Sequence, residues 1–264
     1  MQAERLDSRL VLGGVVLALG LGLALGRLSA GTSVASATPL ATAVATESAQ
    51  PDARVTLGKR YNVPVSKSQP QQGPADALVT IVQWCDFPDP GCAALEPRLQ
   101  ELSKTHSEMV RLVFRHFARP NHPGSAIAHQ FARAAHQQAG KFWQARALLL
   151  PHPDELTLAD LERYSGQLGL NWETVRTAIE HHDFISAITA DHLFSTMFDV
   201  HDSPAVFING RSLGDHPTPE LLVRVFDEEL RHAVDLIAGG VQKADLYAEL
   251  VKKGAWSPAR LKEP

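Results

Sequence analysis

The chain has 264 residues, a length that suits one domain of about 200 residues with appendages. Its formal net charge is −4 and it carries no Lys/Arg block, which argues against nucleic acid as a partner. Two cysteines cannot scaffold a disulfide-rich fold, so the core must be apolar.

Residues 10–26, LVLGGVVLALGLGLALG, hold no charge, with Arg5 and Arg9 before them and Arg27 after. A membrane helix needs about 20 apolar residues and a signal-peptide core about 7–15. The run predicts a signal anchor over residues 1–28, with the membrane as a partner through residues 10–26. The alternative is a cleaved signal ending at Ala35-Ser36-Ala37, although that site lies farther from the run than signal peptidases usually tolerate. Either reading sends the remainder to the periplasm or an equivalent oxidising, extracytoplasmic space. Residues 29–54 are rich in Ala, Ser and Thr without a period, and read as a linker.

Folded sequence follows over 55–240. RYNVPV (60–65) predicts a short strand, and GPADALVTIVQW (73–84) a turn and a buried strand. Residues 90–106 read as a helix, VRLVFRHF (110–117) as a strand and RPNHPG (119–124) as a loop. One long helical run spans 125–150. A second helix opens with a capping box at Thr157 and Asp160, and NWETVRTAIEHH and FISAITADHLFSTMF predict two more. AVFING (205–210) is a strand ending in the hairpin signal Asn-Gly, and RSLGD its return. Thr218-Pro219 opens a long helix, and residues 241–264 hold a small helix and a tail. The order gives an α/β fold: one sheet built from a β-α-β and a β-β-α unit, with an α-helical subdomain inserted over about 122–198.

The stretch WCDFPDPGC (84–92) carries the chemical question. A strand runs into it and a helix leaves it, with Cys92 in the first turn. Thiol–disulfide enzymes place C-x-x-C there, but this window reads Asp89-Pro90-Gly91-Cys92. Together with NVPVSKSQPQQGPADALVTIVQW, VRLVFRHF, GKFWQARALLL, SPAVFING and GVQKADLYAEL, this stretch resembles the DsbA-like branch of the thioredoxin superfamily, over roughly residues 58–250. The resemblance implies a thioredoxin-like fold with a helical insertion and a family role as thiol–disulfide oxidoreductase. It places Asp89 at the nucleophilic cysteine, Cys92 at the resolving one and Gln83 at a buried acid. It also puts Ser203-Pro204 at a cis-proline pair facing the site.

Asp89 cannot attack a disulfide, but Asp at N-cap with Pro at N1 is a preferred helix start, expected to accept from the N–H of Cys92. Gln83 cannot take the proton of an ionising thiol, and a carboxylate at 89 disfavours a thiolate at 92. Both changes predict a degenerate, redox-impaired site. Cys85 shares a strand face with Gln83. Three states are open for Cys85 and Cys92: a structural disulfide, a redox-active pair, or buried free thiols, the last being expected because free cysteine packs as a small hydrophobe. Twelve histidines include His116, His129, His136, His181, His182 and His201; a Cys92–His201–Asp89 metal site lacks ligand spacing, and neither metal nor cofactor is expected. The expected partner is unfolded or extended polypeptide, or an envelope protein. The expected function is a peptide-binding module, with residual thiol–disulfide exchange through Cys92 alone or with Cys85, or a structural envelope subunit, as alternatives.

Overall fold

A computed structural model describes residues 58–255. The expected signal anchor (1–28) and linker (29–54), and the tail beyond 255, lie outside these. Among the described residues no helix is long and apolar enough to cross a membrane.

A five-stranded sheet has the order β1-β3-β2-β4-β5. Strand β2 (Val79–Cys85) is buried along its whole length, as its apolar, β-branched composition dictates. It pairs in parallel with β3 (Val110–His116) through the crossover helix α1 (Pro90–Thr105). β1 (Gln71–Gln72) adds antiparallel to β3, and β4 (Ala205–Ile208) to β2. β5 (Arg211–Asp215) returns along β4 after the turn at Asn209-Gly210, where both residues take positive φ (48° and 79°). Asn and Gly suit that turn because they tolerate the left-handed region. The Asn209 amide also bonds the Thr80 N–H and the Leu78 carbonyl, at 2.8 and 3.1 Å, and so ties the hairpin to β2.

Between β3 and β4 lie α2 (Ser125–Ala139), α3 (Phe142–Leu149), α4 (Leu158–Leu168), α5 (Trp172–Glu180) and α6 (Ile185–Ser195). After β5 come α7 (Pro219–Ala238) and α8 (Leu246–Val251). The alternation of β2 divides the core. Val79 and Ile81 pack with Leu95 and Leu99 of α1 and Phe226 of α7, whereas Val82 and Trp84 meet Tyr61, Phe198 and Phe207. Cys85 and Cys92 join the cluster under the inserted helices, with Phe87, Phe114, Phe131 and Phe142.

Two sequence expectations are corrected. RYNVPV makes only isolated bridges, from Arg60 to Arg211 and Tyr61 to Ala255, because the edge of β5 is met for one residue before Pro64 removes a donor. The run 125–150 is two helices. Gly140 takes the left-handed conformation (φ 65°) and ends α2, its N–H returning to the His136 carbonyl at 2.8 Å.

Candidate functional site

The C-terminal end of β2, the loop 86–89 and the first turn of α1 form the site. Asp89 is the N-cap of α1 with φ −82° and ψ 118°, and Pro90 follows at N1. One carboxylate oxygen accepts the Gly91 N–H at 2.8 Å. This corrects the expected bond from Cys92, whose N–H goes instead to the Asp89 carbonyl at 3.0 Å. The second oxygen explains the orientation: it accepts from Ser203 Oγ at 2.7 Å and from Arg119 at 2.5 Å. Asp89 is thus buried and fully partnered.

The Ser203–Pro204 peptide bond is cis. Gly91 lets the helix start approach this loop, since a Cβ there would lie 2.8 Å from Pro204 Cδ. Ser203 Oγ stands 4.0 Å from Cys92 Sγ. Arg119, one-fifth exposed, joins the two sides of the site by also reaching Asp202 at 2.5 Å.

The sulfurs contradict the expectation of free thiols. Cys85 and Cys92 form a disulfide with Cα atoms 6.0 Å apart, and both residues are fully buried. A separation of seven residues closes because β2 ends and α1 begins on opposite sides of a tight loop, held by the Asp89 N–H to Asp86 carbonyl bond of 3.1 Å. The site that the C-x-x-C window marks as degenerate therefore does hold a sulfur pair, one that uses Cys85 in place of residue 89.

Gln83 lies on the same sheet side, and its Oε1 accepts from Arg146 at 2.7 Å. Arg146 is itself buried against Glu96 at 2.5 Å. The position named for a buried acid thus faces a guanidinium. His201 is exposed, its backbone N–H turned to Asp215, and it does not join Cys92 and Asp89. Among the described residues no cluster of three metal-type ligands occurs.

A second polar group was not anticipated from sequence. Asp86, fully buried, accepts from Ser125 Oγ at 2.6 Å and lies 3.0 Å from His129 Nε2 and 2.9 Å from His122 Nδ1. His129 Nδ1 meets His116 Nδ1 at 2.7 Å, and both rings are buried. Burial opposes ionisation of Asp86, but the hydrogen bonds from His129 and Ser125 and the neighbouring His122 outweigh it and hold the carboxyl below its ordinary range. Burial, then His129, Arg133 and His136, push the His116 imidazole well below its ordinary value. Arg119 and Ser125 sit in or beside a loop called only by its Pro and Gly. Asp86 adjoins Cys85 in the quoted stretch, and His129 lies among the alanines of α2, a composition that signals a helix face packed closely on its neighbours.

The depressed His116 value has a consequence for stability. Unfolded chains take a proton on this residue below about pH 6.5, while the native state keeps it neutral. The unfolded state then binds more protons, so stability falls as pH drops, by up to about 1.4 kcal/mol per pH unit for one group. Urea unfolding between pH 7.5 and 5 should show this slope, and His116→Gln should reduce it. An unchanged slope in the variant would assign the effect elsewhere.

The arrangement of a thioredoxin sheet, an inserted helical block, a cis-proline loop and a cysteine in the first turn of α1 defines a DsbA-like thioredoxin-fold protein. Residues 66–228 match the family model described as Thioredoxin, and the chain belongs to that family. The structure is similar to oxidised BdbD from Bacillus subtilis, with a TM-score of 0.56 and 18% identity, covering 66% of this chain and 98% of that one. It is also similar to alpha-DsbA1 from Wolbachia pipientis (TM-score 0.57, 15% identity, 66% and 96% covered). A thioredoxin-like oxidoreductase from Silicibacter pomeroyi DSS-3 gives a TM-score of 0.54 at 21% identity, with 67% and 95% covered. At these identities the likeness shows the fold. Among curated relatives, Na(+)/H(+) antiporter NhaA 3 of Salinispora tropica is 37% identical over 141 residues, 53% of this chain and 21% of that protein. NhaA of Herminiimonas arsenicoxydans is 29% identical over 142 residues, 54% and 22% respectively. The chain thus spans about a fifth of the length of these curated relatives, and the match falls in its thioredoxin-like region.

Proposed function

We propose that this chain is an extracytoplasmic, membrane-anchored DsbA-like protein that engages extended polypeptide beside its cis-Pro204 loop and exchanges thiols only slowly. One observation carries the reading: both sulfurs are bonded and fully buried, while the position of the family's attacking thiol holds Asp89, sequestered by Arg119, Ser203 and the Gly91 N–H. An incoming thiolate has no exposed sulfur to attack. The polypeptide face remains. A groove of about 260 Å³ opens beside Arg119, lined by Pro120, Ala126, Ile185, Ile188 and His192, and is mostly apolar. Ile185 at its rim is 38% exposed. An extended segment lying there supplies apolar side chains to the groove, whose lining is mostly apolar. The location rests on the apolar run at 10–26, and one structural neighbour is a periplasmic thioredoxin-like protein from Salmonella enterica serovar Typhimurium.

A second reading, exchange through Cys85–Cys92, is favoured by the disulfide itself. Binding of a permanently unfolded, S-alkylated polypeptide, followed by calorimetry on the full chain, tests the first. Ile185→Glu should weaken it about tenfold by burying an unpaired charge. No binding by the wild type, or no effect of Ile185→Glu, would reject the groove.

A further inference from the structure

The Asp86–His129–His116 chain ends on an unpartnered atom. Asp86 Oδ1 is an acceptor, so His129 Nε2 donates to it. With Nε2 donating to Asp86, the tautomer in which His129 Nδ1 accepts has His116 Nδ1 as the donor across the 2.7 Å contact. His116 Nε2 is left as a lone pair, and it is buried with no hydrogen-bond partner among the described residues. Such an atom calls for an explanation, because buried polar groups are ordinarily satisfied. The residues facing His116 do not supply one. From α2 these are His129, already used, together with His136 and Arg133, whose Nη1 is turned to the Ser68 carbonyl. From α3 comes the Phe142 ring. Asp191 of α6 takes the His116 backbone N–H, not the ring.

Cys85 is the register partner of His116 across the parallel β2–β3 pair. Paired residues of neighbouring strands lie on one sheet face about 4.8 Å apart. In the disulfide state Cys85 has no proton to give.

We propose that His116 Nε2 is the acceptor for the Cys85 thiol proton when the Cys85–Cys92 bond is open, with His129 and Asp86 as the positioning residues that fix its tautomer. This deepens the thiol–disulfide reading and rests on it. The step balances with an external dithiol as reductant. Its thiolate attacks Cys92 Sγ, the S–S bond breaks, and Cys85 Sγ leaves with the electron pair. The second thiol of the reagent then displaces Cys92 and closes the oxidised reagent. Two electrons have passed to the protein, and each sulfur takes up one proton from solvent. When Cys85 ionises its proton passes to His116 Nε2, and the resulting thiolate–imidazolium pair favours the thiolate. The chain occupies the role for which Gln83, committed to Arg146, is unsuited.

Histidine ring ¹⁵N spectra of the full chain test the tautomer directly. In the disulfide form His116 should be protonated at Nδ1 and bare at Nε2, and full reduction by dithiothreitol should shift the Nε2 signal towards the hydrogen-bonded position. Cys92→Ser isolates Cys85, whose alkylation by iodoacetamide can be followed against pH. Adding His116→Gln should move the midpoint up by about one pH unit, a tenfold loss of thiolate at fixed pH, and adding Asp86→Asn should move it in the same direction. A His116 ring protonated at Nε2 in the disulfide form, or a midpoint indifferent to His116→Gln, would overturn the proposal. Should wild type resist dithiothreitol while Cys85 in Cys92→Ser still responds to His116, the thiol–disulfide reading would fail and the acceptor role would stand.

Discussion

Cys85→Ser combined with Asp89→Cys is expected to convert a poor thiol oxidant into an active one. The double variant moves the partner of Cys92 from the end of β2 to the N-cap of α1 and writes C-P-G-C. A thiol at N-cap receives the partial positive charge of the helix start, which favours its thiolate. The structure adds a second source. Arg119 now holds the Asp89 carboxylate at 2.5 Å, and its guanidinium would sit against the new sulfur. Removing the Asp cap costs about 0.5–2 kcal/mol. Arg119 keeps Asp202 at 2.5 Å, which limits the additional loss from the broken pair. Oxidation of a dithiol test peptide should rise by at least about tenfold over wild type, because a lower thiol pKa makes that sulfur a better leaving group and its disulfide a stronger oxidant. A folded variant with no gain would mean that the loops around α1 do not admit a substrate disulfide. Adding Gln83→Glu should contribute little, because a carboxylate there meets Arg146 and stays ionised instead of accepting a proton.

The sheet and the helical block were legible in the sequence, because periodicity, β-branched runs and Gly/Pro punctuation act locally, whereas the cis-proline at 204 was implied only by the resemblance of SPAVFING to the family. Thr157 with Asp160 forms its capping box, and Thr218 caps α7. β1 was not legible, since two glutamines carry no strand signal and pair with β3 only through tertiary placement. The break at Gly140 was hidden by the helix formers on both sides. In the site, Asp89 as a cap was readable and the direction of its carboxylate was not. That direction is set by Arg119 and Ser203, which lie 30 and 114 residues away. The disulfide illustrates the same limit. Alternation placed Gln83 and Cys85 on one face, but whether Cys85 reaches α1 depends on the path of the 86–89 loop. That path is fixed from outside, by Ser125, His129 and His122 on Asp86.

The reduction rate of the native disulfide is the second large effect. Both sulfurs are fully buried, so a thiolate reaches them only after the helix start and the loop separate. Local openings of this kind cost a few kcal/mol, and about 3 kcal/mol corresponds to roughly 100-fold in rate. The closed bond in turn restrains the unfolded chain, by about 2 kcal/mol for so short a loop. Timed quenching with an alkylating reagent, read by intact mass, measures both redox state and rate in one experiment on the full chain. We expect no alkylated cysteine in the isolated protein after denaturation. We also expect reduction by dithiothreitol to be at least about 100-fold slower in native buffer than in denaturant. Two alkylated cysteines before any reductant is added, or native reduction as fast as in denaturant, would contradict a buried Cys85–Cys92 disulfide that closes the site.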